Sequence, residues 1–398
     1  MGYTLRPGST QVRHRWDAAY RPYDKLVKGA TKPKQDLPKP KYIDPILASA
    51  YGKDGGLQDV FRSLSYRLQD PNSTVRDPAH RQVVFKTLIV VHTLMRSDAS
   101  VTVLSYLAGD PSALRLKRVA MGGLLEYTYS RTLTRYATYL EYRITTFKEL
   151  GYDLVQASKR DRFARLRKMS VSKGLLREIA MLQRLMNALL ECSFFADNKQ
   201  DDLTMSALRM TLKDLLAHYM GINEGIINML EHYFDMGRRE AERSLELYKQ
   251  FCWQTEKVVA FLDSSRRLSH SLRSAVPSLN HAPLSLAGAL EEYLRDPNFE
   301  KNRTSYLQNR GKNGSSSAPK DGAAKSTTSA PSERPSDKHA TDSRATESDA
   351  KNTSNASKEA PKTQNTNQQA LQDFFEALEQ PSTSGAANHS SAGKHFDV

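Results

Sequence analysis

Apolar residues recur at helical spacing, three or four positions apart, from about Tyr42 to Arg295. Neither the strict alternation of a half-buried strand nor an Asn-Gly hairpin turn interrupts this pattern. The spacing predicts an all-α fold with roughly ten helices, several of them long. Besides the helix around 83–95 described next, the predicted helices lie near 57–70, 100–108, 123–149, 173–195, 203–233, 236–263 and 284–295. No fixed repeat of about 33 to 47 residues recurs, so an irregular helical stack is predicted rather than a repeat array.

The stretch VVFKTLIVVHTLM, residues 83–95, is apolar around the whole circumference of a helix. Such a pattern predicts a central, buried helix rather than a surface one. The run is too short for a membrane span, because Lys86 and His92 interrupt it. Since no cysteine, serine elbow or carboxylate motif is placed to work with His92, we interpret it as a core histidine rather than a catalytic one.

The segment from Lys28 to Tyr42 reads KGATKPKQDLPKPKY, with five lysines, three prolines and one aspartate. If the chain before the first of these prolines is helical, Lys25, Lys28 and Lys32 share one face, where their charges repel unless an anion is present. Lys34 continues the cluster toward the next element. The alternative interpretation is a solvated, lysine-rich linker.

The second part of this segment is stiffened by proline. Pro38 and Pro40 flank Lys39 and predict an extended backbone that cannot collapse. Asp44, which precedes a further proline, predicts the N-cap of the next helix. Lys39 and Lys41 are then expected just ahead of a helix N-terminus, where backbone N–H groups and the helix dipole favour an anion. The pattern therefore predicts an anion-binding cluster rather than a solvated run of charge.

The overall charge agrees with an anionic partner. Lysine and arginine number 58 against 44 aspartates and glutamates, which gives a net charge of +14 and a pI near 9.5. The first 41 residues alone carry ten basic and three acidic residues. Such an excess favours a polyanion, and both nucleic acid and anionic lipid qualify. Each lysine at an anionic leaflet contributes on the order of 1 kcal/mol, so four or five give about 4 to 5 kcal/mol, enough for reversible recruitment.

Other signals favour no catalytic chemistry. The second basic run, KRDRFARLRK at 159–168, is expected to be a solvated loop or helix face. Cys192 and Cys252 lie sixty residues apart without a CxxC pair, so neither a zinc site nor a disulfide is predicted, and a reducing compartment is expected. The sequence lacks nucleotide-binding, metalloprotease and nucleophile-elbow motifs. We therefore expect no metal, no cofactor and no enzymatic activity. Because the first 31 residues lack the apolar core of a signal peptide, we expect only peripheral contact with membranes.

The C-terminal part of the chain has a different composition. Residues 311–369 contain no leucine, isoleucine, valine, methionine, phenylalanine, tryptophan or tyrosine, so residues 301–398 are expected to form a disordered tail. Within it, LQDFFEALE at 371–379 places apolar side chains at helical spacing. These are Leu371, Phe374, Phe375 and Leu378. The spacing predicts a short helix that docks into a partner's groove, and the alternative is a chance cluster.

Several of these segments together resemble the ANTH-domain endocytic adaptors, also called clathrin assembly proteins. Lys28, a spacer and then Pro38 to Lys41 resemble the family's phosphoinositide signature, with Tyr42 where animal members have histidine. The stretches 83–95, 129–143 (YSRTLTRYATYLEYR), 223–236 (NEGIINMLEHYFDM) and 245–251 (LELYKQF) also resemble the family. The chain is identified as a member of fungal type. The resemblance implies a right-handed helical superhelix, similar to ENTH and VHS domains, extended by a long-helix bundle. The domain is expected to span 23–300 after a variable extension of 1–22.

The resemblance also implies a function. It implies that Lys28, Lys39, Lys41 and Tyr42 bind phosphatidylinositol 4,5-bisphosphate at the surface, and the charge pattern adds Lys25, Lys32 and Lys34 as auxiliary residues. The implied protein is a cytoplasmic adaptor at clathrin-coated pits and vesicles, which promotes coat assembly, contacts clathrin and its adaptor complex through the tail, and sorts SNARE cargo. The alternatives are a nucleic-acid-binding helical protein and a lipid-independent scaffold. Nucleic acid is not the expected partner, because the basic cluster combines lysine with proline rather than arginine with aromatic residues.

Overall fold

A computed structural model of the protein describes residues 22–52, 55–69, 77–110, 124–156, 164–192, 201–268 and 284–314, with a few single positions between them. These residues form helices and no strand, which confirms the all-α fold class. The helices, numbered here in chain order, are α1 (Pro22–Ala30), α2 (Pro40–Ala48), α3 (Gly56–Leu68), α4 (Pro78–Arg96), α5 (Ser100–Leu107), α6 (Leu124–Leu150), α7 (Ala164–Lys168), α8 (Leu175–Leu190), α9 (Asp202–Glu231), α10 (Arg238–Arg266), α11 (Leu284–Arg295) and α12 (Phe299–Gly314). Short 3-10 segments lie at Val171–Lys173 and Tyr233–Asp235.

Helix α4 lies at the centre of the N-terminal half, as its apolar circumference predicts. It begins at Pro78, after Asp77 caps it by accepting a hydrogen bond from the Ala79 backbone N–H at 2.9 Å. Nearly all of its residues from Val83 to Met95 are buried. It packs against α1, α3, α5, α6 and α9. This helix therefore connects the short N-terminal helices to the long ones.

The C-terminal half is a bundle of long helices. Helix α8 packs against α6, α9 and α10, and α11 packs along α10. The short helix α7 docks on α9, where Gly225 lets the Ile179 and Leu166 side chains approach the α9 backbone. The apolar stripes of these helices form one continuous core.

A buried polar cluster joins α4, α6 and α9. The His92 Nε2 atom lies 2.7 Å from Asp214 Oδ2, and Tyr139 donates a hydrogen bond of 2.6 Å to the same oxygen. The Arg143 guanidinium donates to Asp214 at 3.0 Å and to Asp153 at 2.7 Å. All of these side chains are buried, and His92 is confirmed as a core residue. The cluster pairs its carboxylates with its guanidinium groups, which is the condition under which buried charge is tolerated.

Two boundaries differ from the prediction. Helix α2 begins at Pro40 rather than after Asp44, because Pro40 takes the first helical position and the Lys39 carbonyl accepts the first N–H groups of the turn. Pro45 therefore lies inside the helix. Helix α1 ends at Ala30, so Lys32 lies beyond it and does not share its face.

Helix α12 crosses the predicted domain boundary at residue 300. Asp296 caps it by accepting from the Asn298 backbone N–H at 2.7 Å, and the Phe299 side chain is completely buried. Arg303 donates to the Asp235 carbonyl at 3.0 Å. The polar sequence of this segment does not predict a helix, because the helix depends on tertiary contacts. The extension at 1–21 and the tail from 315 onward, including the 371–379 motif, lie outside the described residues.

Candidate functional site

The predicted lysines lie on α1, on the α1–α2 connection and at the start of α2, and all six have exposed side chains. They are Lys25, Lys28, Lys32, Lys34, Lys39 and Lys41. Within the described part of the chain, no carboxylate forms an ion pair with Lys28, Lys39 or Lys41. We call these six lysines and the connection between α1 and α2 the basic loop. The charges of Lys28, Lys39 and Lys41 are available to an external anion.

A close contact between α1 and α2 shapes the basic loop. The Tyr42 ring packs against Gly29, where a Cβ atom would lie 2.5 Å from the ring's Cε1 atom. Lys28 and Lys41 are the chain neighbours of these two residues, so the contact brings their backbones together. The Lys41 Nζ atom lies 5.1 Å from the centre of the Tyr42 ring. Tyr42 is half-buried in this contact, and its role toward a phosphate stays a prediction.

Arg67 of α3 holds the start of the connection. Its guanidinium donates to the Thr31 hydroxyl and to the Thr31 carbonyl, both at 3.0 Å. Thr31 in turn donates its hydroxyl hydrogen to the Val27 carbonyl of α1 at 2.8 Å. The C-terminus of α1, where helices leave carbonyls without a partner, is therefore satisfied by a cation from another helix.

Lys86 of α4 holds the middle of the connection. Its Nζ atom donates to the Lys34 carbonyl at 3.1 Å and to Asp36 Oδ1 at 2.9 Å. The hydrogen bond from Lys86 keeps the pKa of the Asp36 carboxyl below its ordinary value, and the charges of Lys86, Lys39 and Lys34 act in the same direction. In the local sequence pattern, Lys86 is visible only as an interruption of an apolar run. A lone cation in an otherwise apolar, buried helix is itself a signal, because it requires a specific partner.

The start of α2 concentrates positive potential. No side chain caps this helix, and Lys39 stands at the N-cap with Lys41 in the first turn. Cations at a helix N-terminus are unfavourable by about 0.3 to 1 kcal/mol each, because the dipole is positive there. An anion bound at this place relieves both the dipole and the lysines. The arrangement is therefore suited to a phosphate and unsuited to a cation.

The described part of the second basic run is an exposed helix face that also makes structural ion pairs. Arg167 donates to both carboxylate oxygens of Glu224, at 2.6 and 2.7 Å. Arg165 pairs with Glu178, at 2.5 and 3.1 Å, and stacks on the Tyr152 ring at 4.5 Å. Both carboxylates are nearly buried. The two arginines lie on an exposed helix face, as expected, with side chains 48% and 54% exposed, and each one also neutralises an acid of the long-helix bundle.

Two classes of site find no support among the described residues. They contain no group of three or more histidines, cysteines, aspartates or glutamates that could hold a metal ion. None of their helices combines the length and apolar character needed to cross a membrane.

Comparison with known proteins gives one family. The model of the ANTH domain matches residues 22–296. An ENTH domain-containing protein of Schizosaccharomyces pombe is 35% identical over 288 residues, which cover 72% of this chain and 42% of that protein. The clathrin coat assembly protein AP180B of Saccharomyces cerevisiae is 31% identical over 278 residues, 69% of this chain and 46% of that protein. The phosphatidylinositol-binding clathrin assembly protein of Rattus norvegicus is 28% identical over 274 residues, 69% of this chain and 41% of that protein. The chain thus spans less than half the length of these relatives.

A solved structure supports the fold. The ENTH domain from epsin-2, in complex with phosphatidylinositol 4,5-bisphosphate, matches with a TM-score of 0.51 at 17% identity. The match covers 65% of this chain and 96% of that domain. At this identity the likeness concerns the helical architecture.

Proposed function

The chain belongs to the ANTH domain family, and on that premise we propose that it is a peripheral membrane adaptor, which binds phosphatidylinositol 4,5-bisphosphate and promotes clathrin coat assembly. The observation that carries the proposal is the basic loop, where exposed lysines surround an uncapped helix N-terminus and the acid among them, Asp36, is engaged by Lys86.

The proposed contacts follow from position. Lys28, Lys39 and Lys41 bind the phosphate groups, since the Gly29–Tyr42 contact holds α1 against α2 beside them. The auxiliary residues are Lys25, Lys32 and Lys34. They act through the local potential, at on the order of 1 kcal/mol each for a lysine close to the membrane. Tyr42 is proposed to donate its phenolic hydrogen to a phosphate oxygen, where family members from animals have a histidine.

The coat-related part of the proposal rests on the relatives, two of which are named for clathrin assembly. We propose that the chain acts at clathrin-coated pits and vesicles and sorts SNARE cargo. We assign the contact with clathrin and its adaptor complex to the tail, where Leu371, Phe374, Phe375 and Leu378 form the docking motif. Pull-down of purified coat components by the full chain and by a Phe374→Ala, Phe375→Ala variant tests the motif. Equal recovery of coat components by the two proteins would show that the motif does not dock them.

Flotation with vesicles of different composition tests the lipid part. We expect the full chain to float with phosphatidylcholine vesicles that contain phosphatidylinositol 4,5-bisphosphate, and more weakly with phosphatidylserine vesicles of equal charge. Soluble inositol trisphosphate should displace the protein, and short duplex DNA should not. Displacement by DNA but not by inositol trisphosphate would favour the nucleic-acid function. If the protein binds coat components equally well with and without phosphoinositide, a lipid-independent scaffold would be favoured.

A further inference from the structure

We propose that Lys86 is a positioning residue for the basic loop, which keeps the Asp36 carboxylate bound to α4 and so prevents it from neutralising Lys34 and Lys39. This inference rests on the proposed function, because its readout is binding to phosphoinositide. It assigns a role to a buried residue that does not itself touch the membrane.

The geometry shows that Lys86 acts on the loop from inside the protein. Its side chain is 2% exposed, whereas Asp36 is 46% exposed. The Nζ atom has two acceptors in the loop, the Lys34 carbonyl at 3.1 Å and Asp36 Oδ1 at 2.9 Å. One contact fixes the backbone and the other fixes the carboxylate. A buried ammonium group requires such partners, because burial without them carries a large desolvation cost.

The charges explain why this matters for an anionic ligand. Asp36 is the single acidic residue between Lys25 and Lys41 in the sequence. The positive charges of Lys39 and Lys34 contribute, after the hydrogen bond from Lys86, to the lowered pKa of its carboxyl group. A carboxylate released from Lys86 would pair with one of them. An additional negative charge in the loop would also repel the phosphates directly.

The inference predicts that breaking the contact weakens lipid binding through Asp36. Lys86→Met removes the internal cation and keeps an unbranched side chain in the helix. We expect affinity for phosphatidylinositol 4,5-bisphosphate vesicles to fall about five- to tenfold, which corresponds to the loss of one lysine contribution. Asp36→Asn alone should bind at least as tightly as wild type, because the loop gains net positive charge.

The double variant Lys86→Met, Asp36→Asn separates positioning from direct contact. The double variant has no carboxylate left to pair with Lys34 or Lys39. We therefore expect its affinity to return to within about twofold of wild type, which is a smaller loss than the five- to tenfold expected for Lys86→Met alone. Thermal unfolding of the single and the double variant measures how much stability each one loses. If the double variant regains affinity but not stability, relative to Lys86→Met, the inference is supported. Equal weakness of the single and double variants would overturn it, as would wild-type affinity of Lys86→Met.

Side-chain NMR of the intact chain adds a test that needs no substitution at position 86. On addition of inositol trisphosphate, we expect the ammonium signals of Lys28, Lys39 and Lys41 to shift and that of Lys86 to keep its position. A shift of Lys86 as large as that of Lys39 would show direct contact and contradict positioning. If wild-type protein binds neither vesicles nor inositol trisphosphate, the proposed function itself fails, which is a distinct outcome.

Discussion

The Tyr42 ring of α2 packs directly on Gly29 of α1, so that a Cβ atom added to Gly29 would lie 2.5 Å from the ring's Cε1 atom. Real Cβ contacts are longer, so a larger residue at this crossing would displace the Tyr42 ring. The contact fixes how closely α1 and α2 approach each other. Because Lys28 precedes Gly29 and Lys41 precedes Tyr42, the same contact also sets the separation of two proposed phosphate ligands.

Gly29→Ala should therefore destabilise the protein. Overpacking of a well-filled contact costs about 1 to 3 kcal/mol in free energy of unfolding, which exceeds the gain in helix propensity. Urea unfolding measures the change. Because the Tyr42 ring must move, the affinity for phosphoinositide vesicles should also fall.

Two further variants control this prediction. Gly288 lies in the exposed face of α11, and a Cβ atom there meets nothing within 4 Å. Gly288→Ala should stabilise the protein by roughly 0.5 to 1 kcal/mol through helix propensity. Tyr42→Ala combined with Gly29→Ala should cost less than the sum of the two single changes, since the clash is gone. Additive losses would show that the steric explanation is wrong.

Asp214 is the acid shared by the buried polar cluster. It accepts from Tyr139 and Arg143 and forms an ion pair with Arg96. Asp214→Ala removes the carboxylate that Arg96 pairs with and the shared acceptor of Tyr139 and Arg143, so the free energy of unfolding should fall by about 3 to 5 kcal/mol. Glu246→Ala, which removes an exposed ion pair with Arg243, should change it by less than about 1 kcal/mol. A comparable effect of both substitutions in urea unfolding would argue against the buried cluster as a source of stability.

His218 should make the protein less stable in mild acid. It is completely buried, and neither ring nitrogen has a hydrogen-bond partner in the described part of the chain. Burial lowers its pKa to about 3, with Arg143 and Arg96 acting in the same direction and Asp153 against it. The unfolded chain has a histidine pKa near about 6.5, so between these values the unfolded state binds the extra proton.

The sign of the pH dependence follows. The stability that comes from neutral His218 is complete above pH about 7 and is lost as the pH falls, by up to about 1.4 kcal/mol per pH unit. Urea unfolding between pH 7 and 5.5 measures the slope, and His218→Leu should reduce it. An unchanged slope in the variant would contradict the prediction, because it would mean that His218 binds protons equally in the folded and the unfolded protein.

Arg167 should support stability and leave lipid binding unchanged. Its bidentate contact neutralises the buried Glu224 carboxylate. Arg167→Ala should lower the free energy of unfolding by about 1.5 to 3 kcal/mol, because a buried carboxylate loses charged hydrogen bonds. Vesicle affinity of the folded protein should stay the same. The matched control is Arg177→Ala, which breaks an exposed pair with Glu149 and should cost at most about 1 kcal/mol. A loss of vesicle affinity on Arg167→Ala, measured on protein that is still folded, would instead place the second basic run at the binding surface.

Periodicity and charge predicted the parts of this fold that depend on local sequence. The apolar circumference of 83–95 predicted the buried α4, and the lysines around Pro38 are exposed, as an anion-binding cluster requires. The start of α2 was predicted wrongly, because Pro40 and Pro45 are both compatible with a first helical position and only one of them occupies it.

Other features depend on contacts between residues distant in sequence. Lys86 and Asp36 are fifty positions apart, so the anchor of the basic loop is invisible to a local pattern. Helix α12 has a polar sequence, and its order comes from Phe299, whose ring lies 4.8 Å from the Arg238 guanidinium and 5.2 Å from the Tyr293 ring. Arg167 likewise finds Glu224 on another helix. Charge runs predict where cations are, whereas tertiary structure decides which of them are already paired.

The central claim is that the basic loop binds phosphoinositide, and a comparison of two triple charge reversals tests it most directly. The first changes Lys28, Lys39 and Lys41 to glutamate, and the second changes three exposed lysines on other elements. These are Lys148, Lys168 and Lys173. Both variants have the same net charge, so vesicle binding at equal ionic strength isolates the position of the lysines. We expect the first variant to lose about a hundredfold or more in affinity for phosphatidylinositol 4,5-bisphosphate vesicles, with its unfolding transition unchanged, and the second to lose much less. Equal losses in the two variants would contradict a dedicated site in the basic loop.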